Sequence, residues 1–102
     1  MASKYLVTLT EKAFIDLDSI YSYILETSQS KRTRDMVKME IEKTLRSLTI
    51  FPKRNPLLLK NPHFRKAKVY SYSIVYKVIK KEKTVIVWRI LSDYTDWANS
   101  ME

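Results

Sequence analysis

Eleven lysines and arginines fall between residues 51 and 91, against a single acid there, Glu82. They come in close groups: Lys53-Arg54, then Lys60, then Arg65, Lys66 and Lys68, then Lys77, Lys80, Lys81 and Lys83, with Arg89 alone among apolar residues. Residues 1–50 carry a net charge of only +1 and residues 92–102 carry −3, so one stretch supplies the whole surplus of +8. Cations at this density hold polyanions, either nucleic acid or an acidic protein segment. A tyrosine beside such cations, as Tyr94 would be, can have its phenol pKa lowered and serve in proton transfer.

Other chemistries lack their residues. The chain has no Cys, which removes thiol nucleophiles, disulfides and Cys-containing zinc sites. It has no Gly, and so no glycine-rich cradle whose backbone could approach a phosphate. Its one histidine, His63, follows Pro62 and reads as a solvated loop residue. Asp93 and Asp96 have no third ligand near them in sequence, so they read as an acidic tail. No metal site and no cofactor is expected.

At 102 residues the chain is expected to form one domain spanning 1–102. No signal segment is read at its start. The longest apolar runs, Leu57-Leu58-Leu59 and Val85-Ile86-Val87-Trp88, are far short of a membrane span. The expectation is a cytoplasmic protein with no membrane partner.

The elements that must position these side chains are legible in the apolar spacing. Tyr5, Val7 and Leu9 alternate with Leu6 and Thr8, the period of a short strand. Phe14, Leu17, Ile20, Tyr21, Ile24 and Leu25 recur at helical spacing, with Thr10 as N-cap or, by the capping-box spacing of Thr8 and Glu11, a start two residues earlier, and with Asp16, Asp18 and Ser19 turned away. Ser28-Gln29-Ser30 breaks that helix and supplies a cap for the next. Met36, Val37, Ile41, Leu45 and Leu48 stripe a second helix, which Pro52 stops. Met36 and Met39 read as packing, and Phe14 and Trp88 as core.

Pro52 to Pro62 is the one linker-like stretch. From Arg65 the chain reads as an edge strand to Tyr70, then a strand in which Tyr72, Ile74, Tyr76 and Val78 alternate with Ser73, Val75, Lys77 and Ile79. A loop at Lys80-Lys81-Glu82-Lys83 leads to a last strand from Thr84 to Leu91; with no Gly, this loop is expected to be longer than a tight primed turn. The order β-α-α-β-β-β predicts an α+β domain, a twisted sheet with an αα-hairpin on one face. The other face is expected to be uncovered. It would carry Ser73, Val75 and Lys77 with Val85, Val87 and Arg89, or their alternates.

Four segments in this order resemble the RelE/ParE toxin superfamily of type II toxin–antitoxin systems. Leu17-Asp18-Ser19-Ile20-Tyr21-Ser22-Tyr23-Ile24 is similar to its first helix, and Leu48-Thr49-Ile50-Phe51-Pro52 to the close of its second. Tyr72 to Val78 is similar to the central strand, and Val85 to Leu91 followed by Asp96-Trp97 to the last strand and tail. The resemblance spans residues 4–97 and implies a growth-inhibiting toxin bound by a cognate acidic antitoxin, the pair binding its own operator DNA. RelE-like members cut messenger RNA on the ribosome, whereas ParE-like members inhibit DNA gyrase.

RNA cleavage needs a group to activate the 2′-hydroxyl, a cation for the phosphorane and an acid for the leaving oxygen. The resemblance places Arg65, Lys68 and Tyr94 as candidate catalytic residues. Lys53, Arg54, Lys60, Arg65, Lys66, Lys68 and Arg89 are the candidates for target or nucleic-acid binding. Ser73, Val75, Lys77, Val87, Arg89 and Trp97 are those for antitoxin binding. Where RelE-like members often place cations, this chain has Ser73, Asp93 and Thr95, so the reading leans to a ParE-like toxin that acts by binding. The alternatives are a ribosome-dependent endoribonuclease with atypical residues and an inactive nucleic-acid-binding module.

Overall fold

The computed structural model describes residues 4–28 and 30–93. Strand β1 (Leu6–Leu9) is followed by helices α1 (Glu11–Ser28) and α2 (Lys31–Ser47), then by β2 (Arg65–Val69), β3 (Tyr72–Ile79) and β4 (Thr84–Ser92). The expected element order and the α+β class are both present. The sheet runs β1-β4-β3-β2. Its three later strands pair antiparallel, and β1 closes one edge parallel to β4.

The helix starts follow from side-chain oxygens that satisfy orphan N–H groups of the first turn. Thr10 Oγ1 accepts from the Ala13 N–H at 3.1 Å, and Ser30 Oγ accepts from the Thr33 N–H at 3.1 Å. At the other end α2 stops at Ser47, short of Pro52. The next N–H groups of Leu48, Thr49 and Ile50 bond back three residues, so the last turn tightens before the proline is reached.

Ala13, Ile20 and Ile24 of α1 and Val37, Ile41 and Leu48 on α2 and its C-cap pack on Ile74, Tyr76, Val85, Val87 and Ile90 of the sheet. Phe14, Met36 and Met39 do not join them, being 61%, 51% and 68% exposed. Phe14 and Met36 are one residue, about 100° of rotation, from the buried Ala13 and Val37, and Met39 is two residues from both Val37 and Ile41, on the opposite side of the helix. The β3–β4 loop is a single 3-10 turn, Lys80–Glu82, closed by Lys83 in the left-handed region (φ 52). The edge strand ends one residue before the expected Tyr70: Tyr70 and Ser71 form the turn between the paired Val69 and Tyr72, and Tyr70 takes φ 54 in place of a glycine.

β4 carries a bulge. Tyr76 pairs with Val87 and Val75 with Arg89, so Trp88 and Arg89 together face one residue of β3. The Trp88 carbonyl accepts from Thr10 Oγ1 at 2.7 Å, and the Val87 carbonyl accepts from the Thr10 N–H at 3.0 Å. The extra residue shifts the alternation, which separates side chains that a regular strand would put on one face.

Three phenols inside this packing are harder to ionise than usual. Burial and the nearby Glu42 carboxylate push Tyr21 up to about 12, and burial raises Tyr72 and Tyr76 as well. The unfolded chain therefore releases these protons first, near pH 10. Their stabilisation is complete below that pH and should fall away as pH climbs from 10 toward 12. Thermal midpoints taken across pH 8–12 check this; a flat profile contradicts it.

Candidate functional site

The segment after α2 is the part of the sequence least like any regular element, and it is where the cations are organised. Tyr76, fully buried, donates its hydroxyl proton to the Pro52 carbonyl at 2.6 Å and accepts from Asn55 Nδ2 at 3.1 Å. Arg65, the residue paired with Tyr76 across the sheet, donates from Nη1 to the carbonyls of Lys53 (3.1 Å) and Asn55 (2.6 Å). The Lys66 N–H reaches the Pro56 carbonyl at 3.1 Å, and Leu57 bridges to Arg65. The stretch read as a linker is thus bonded to the sheet edge.

This segment also covers the face expected to be bare. Phe64, Val75 and Leu91 form a second buried cluster, with Leu58 and Trp88 packed against it. Phe64 and Trp88 meet as tilted rings 5.6 Å apart, and Lys77 Nζ lies 5.9 and 5.8 Å from their centroids. That covering decides where the residues expected to bind the antitoxin lie. Ser73 is buried, Val75 is buried against Phe64, and Val87 is fully buried on the opposite, helix-facing side. Arg89 turns to α1, where its Nε and Nη2 meet the Asp16 carboxylate at 2.7 and 2.9 Å. Lys77 and Arg89 keep part of their side chains at the surface; Trp97 lies outside the described residues.

Of the candidate catalytic residues, the two that are described are each engaged within the fold. Arg65 holds two carbonyls, and Lys68 is ion-paired with Asp93 across the sheet edge. Tyr94 lies outside the described residues. Ser73 Oγ is buried and has no hydrogen-bond partner among the described residues. Such an oxygen costs about 1–3 kcal/mol in lost hydration. Ser73→Ala should therefore raise stability by about 1 kcal/mol, seen as a melting midpoint higher by about 4–8 °C. An unchanged or lower midpoint contradicts it.

What the structure does bring together is a polar cleft of about 260 Å³ between α2 and β2. Lys43, Arg54 and Lys68 converge on it, with Glu40, Thr44 and Ser47 along the helix wall. Lys43 was missed in the sequence because it belongs to the near-neutral half and reads as one exposed residue of a helix. Lys53 and Lys60 are exposed on the covering segment outside this cleft. The lining thus carries three cations and one acid, and one of the cations, Lys68, is also paired with Asp93. Among the described residues no cluster of metal ligands occurs, and no helix is long and apolar enough to cross a membrane.

Arg65 tests the distinction between holding the fold and doing chemistry. Arg65→Ala removes charge-assisted bonds to two carbonyls, a loss of about 1.5–3 kcal/mol. The melting midpoint should drop by at least about 6 °C, with Arg65→Lys recovering part of it. A midpoint unchanged in Arg65→Ala would return the residue to the candidate catalytic group.

The sequence matches, over residues 7–97, the family described as ParE toxin of type II toxin–antitoxin system, parDE. No curated protein matches it. Among solved structures the fold is similar to the chromosomal ParDE system of P. aeruginosa (TM-score 0.72, 18% identity, 87% of this chain and 96% of that one). It is similar also to the toxin–antitoxin complex RelBE2 of Mycobacterium tuberculosis (TM-score 0.64, 21% identity, covering 90% and 94%). The isolated E. coli RelE toxin aligns with a TM-score of 0.56 at 21% identity, covering 94% and 92%.

Proposed function

We propose that this chain, which belongs to the ParE toxin family of type II toxin–antitoxin systems, arrests growth by binding DNA gyrase and has no nuclease chemistry of its own. What carries the reading is the commitment of its cations. Arg65 is spent on the Lys53 and Asn55 carbonyls, Lys68 on Asp93 and Arg89 on Asp16. Phosphorane stabilisation needs donors preorganised toward the oxygen that gains charge, and these point elsewhere. At the strand position where a cation would be required, Ser73 is buried. The basic surface that remains suits an acidic antitoxin, and through it the operator DNA of the pair, by complementary charge.

Two assays with purified protein decide between targets. Gyrase supercoiling should be inhibited, and message in a reconstituted translation reaction should remain intact. Cleaved message would overturn the non-enzymatic reading in favour of a ribosome-dependent endoribonuclease. Inhibition of neither would leave a nucleic-acid-binding module, whose affinity falls steeply with salt.

A further inference from the structure

A second groove, of about 480 Å³, lies at the start of the covering segment, where Arg54 separates it from the cleft between α2 and β2. Its floor is Tyr5, Ile50, Phe51 and Pro52. Lys53 and Lys80 stand on its rim with Arg54, and none of its lining residues is acidic. Lys83, set by its left-handed backbone, adds a fourth cation with Nζ 5.1 Å from the centre of the Tyr5 ring.

The groove is preformed. The Tyr5 N–H donates to the Thr49 carbonyl at 2.7 Å, which ties the start of the sheet to the turn after α2. Pro52 is buried and its carbonyl is held by Tyr76. Between these fixed points Ile50 and Phe51 remain 45% and 63% exposed. Two large apolar side chains are thus presented to solvent from a rigid turn, ringed by positive charge.

The geometry points to this groove as the docking site of an acidic, amphipathic peptide segment of the partner protein. An apolar side chain of that segment seats against Phe51 and Ile50, and its flanking carboxylates meet Lys53, Lys80 and Arg54. The partner is taken from the toxin–antitoxin reading, on which the proposal rests. Its place differs from the one the sequence suggested, since that face is filled by Phe64 and Leu58. Charge alone would suit nucleic acid equally. Half of the floor does not: Ile50 and Pro52 give a phosphate nothing to bond, and the Tyr5 ring is already taken by Lys83 Nζ, so Phe51 alone is left as a ring face for a base and the RNA arm of the test decides what it holds.

The test uses a short fluorescein-labelled synthetic peptide alternating glutamate with leucine, read by anisotropy against the full chain. It should bind, and polyglutamate of the same charge should bind about tenfold more weakly or worse. Phe51→Ser and Lys53→Glu/Lys80→Glu should each weaken the leucine-bearing peptide by about tenfold, and the double variant should also flatten its salt dependence. Both alter exposed side chains, and an unchanged melting midpoint checks that they fold. Leu59→Ser, at a fully exposed leucine outside the groove, should leave binding unchanged. The proposal is overturned if Phe51→Ser binds like the parent, if Leu59→Ser weakens binding as much, or if a short single-stranded RNA binds and is the ligand these variants lose. Growth inhibition on induced expression is scored separately. A non-toxic protein that binds the peptide sinks the toxin reading and leaves the groove standing, whereas a toxic protein that ignores the peptide sinks the groove alone.

Discussion

Asp16→Ala should destabilise the fold by about 3–5 kcal/mol, the usual cost of stranding one member of a buried ion pair. The Asp16 carboxylate accepts from Arg89 Nε at 2.7 Å, from Arg89 Nη2 at 2.9 Å and from the Ile90 N–H at 2.9 Å. The two side chains are only 13% and 18% exposed, so salt screens them little. Asp16 also holds the Arg89 guanidinium above its ordinary pKa through the hydrogen bonds between them, so the arginine cannot escape by losing its proton. Alanine would take two charge-assisted hydrogen bonds from a half-buried cation and remove the acceptor of the Ile90 N–H, at the bulge that sets the register of β4. At about 4–8 °C per kcal/mol for a domain of this size, the melting midpoint should fall by about 12 °C or more. Replacing both residues by apolar ones, Asp16→Leu with Arg89→Met, should recover much of the loss, because no charge is then left unpaired. A drop of only about 2 °C in the single variant would mean that the pair contributes no more than an exposed one.

Asp16 also marks the boundary between what could be read in the sequence and what could not. Local signals were sufficient for the elements. Ile20 and Ile24, Val37 and Ile41, and the alternation from Tyr72 to Val78 gave period and type, and Thr10 and Ser30 marked the helix starts. These features depend on residues within one or two turns of each other. Asp16 was read as facing away, because an acid beside an apolar stripe is ordinarily solvated. Its partner is seventy-three residues later, and the only sequence hint was Arg89, a lone cation inside an apolar strand. The bulge is equally non-local. A period of two carried through Trp88 puts Val87 and Arg89 with Val75, whereas one extra residue sends Val87 into the helix-facing core and leaves Val75 under Phe64. The basic stretch was legible as a composition, but its disposition was not. Which lysines converge on a cleft, and which are used to hold backbone, is decided by the path of residues 52–64, which has no periodicity to read.

That path makes the second large prediction. Were the far side of the sheet open, as the alternation alone suggested, Phe64 would be a loop aromatic and its removal nearly neutral. Instead it is 9% exposed, with Val75 and Leu91 behind it, both almost fully buried, and Trp88 alongside. Phe64→Ala should therefore cost about 3–5 kcal/mol, the transfer of the ring plus the cavity it leaves. The loss should spread along the segment, because the Phe64 carbonyl accepts from the Leu58 N–H at 2.9 Å and its own N–H donates to the Asn61 carbonyl at 3.0 Å. Hydrogen exchange at Leu58 and Phe64 should then approach that of an unprotected loop, while amides of α1 and α2, on the other side of the sheet, lose protection only as far as global stability falls. Leu59→Ala, at a leucine exposed over its whole surface, supplies the reference within the same segment and should leave the midpoint within about 2 °C of the parent. If Phe64→Ala behaves like Leu59→Ala, the covering segment does not hold the sheet. That face would then be open to a partner, and the antitoxin would have a second place to bind.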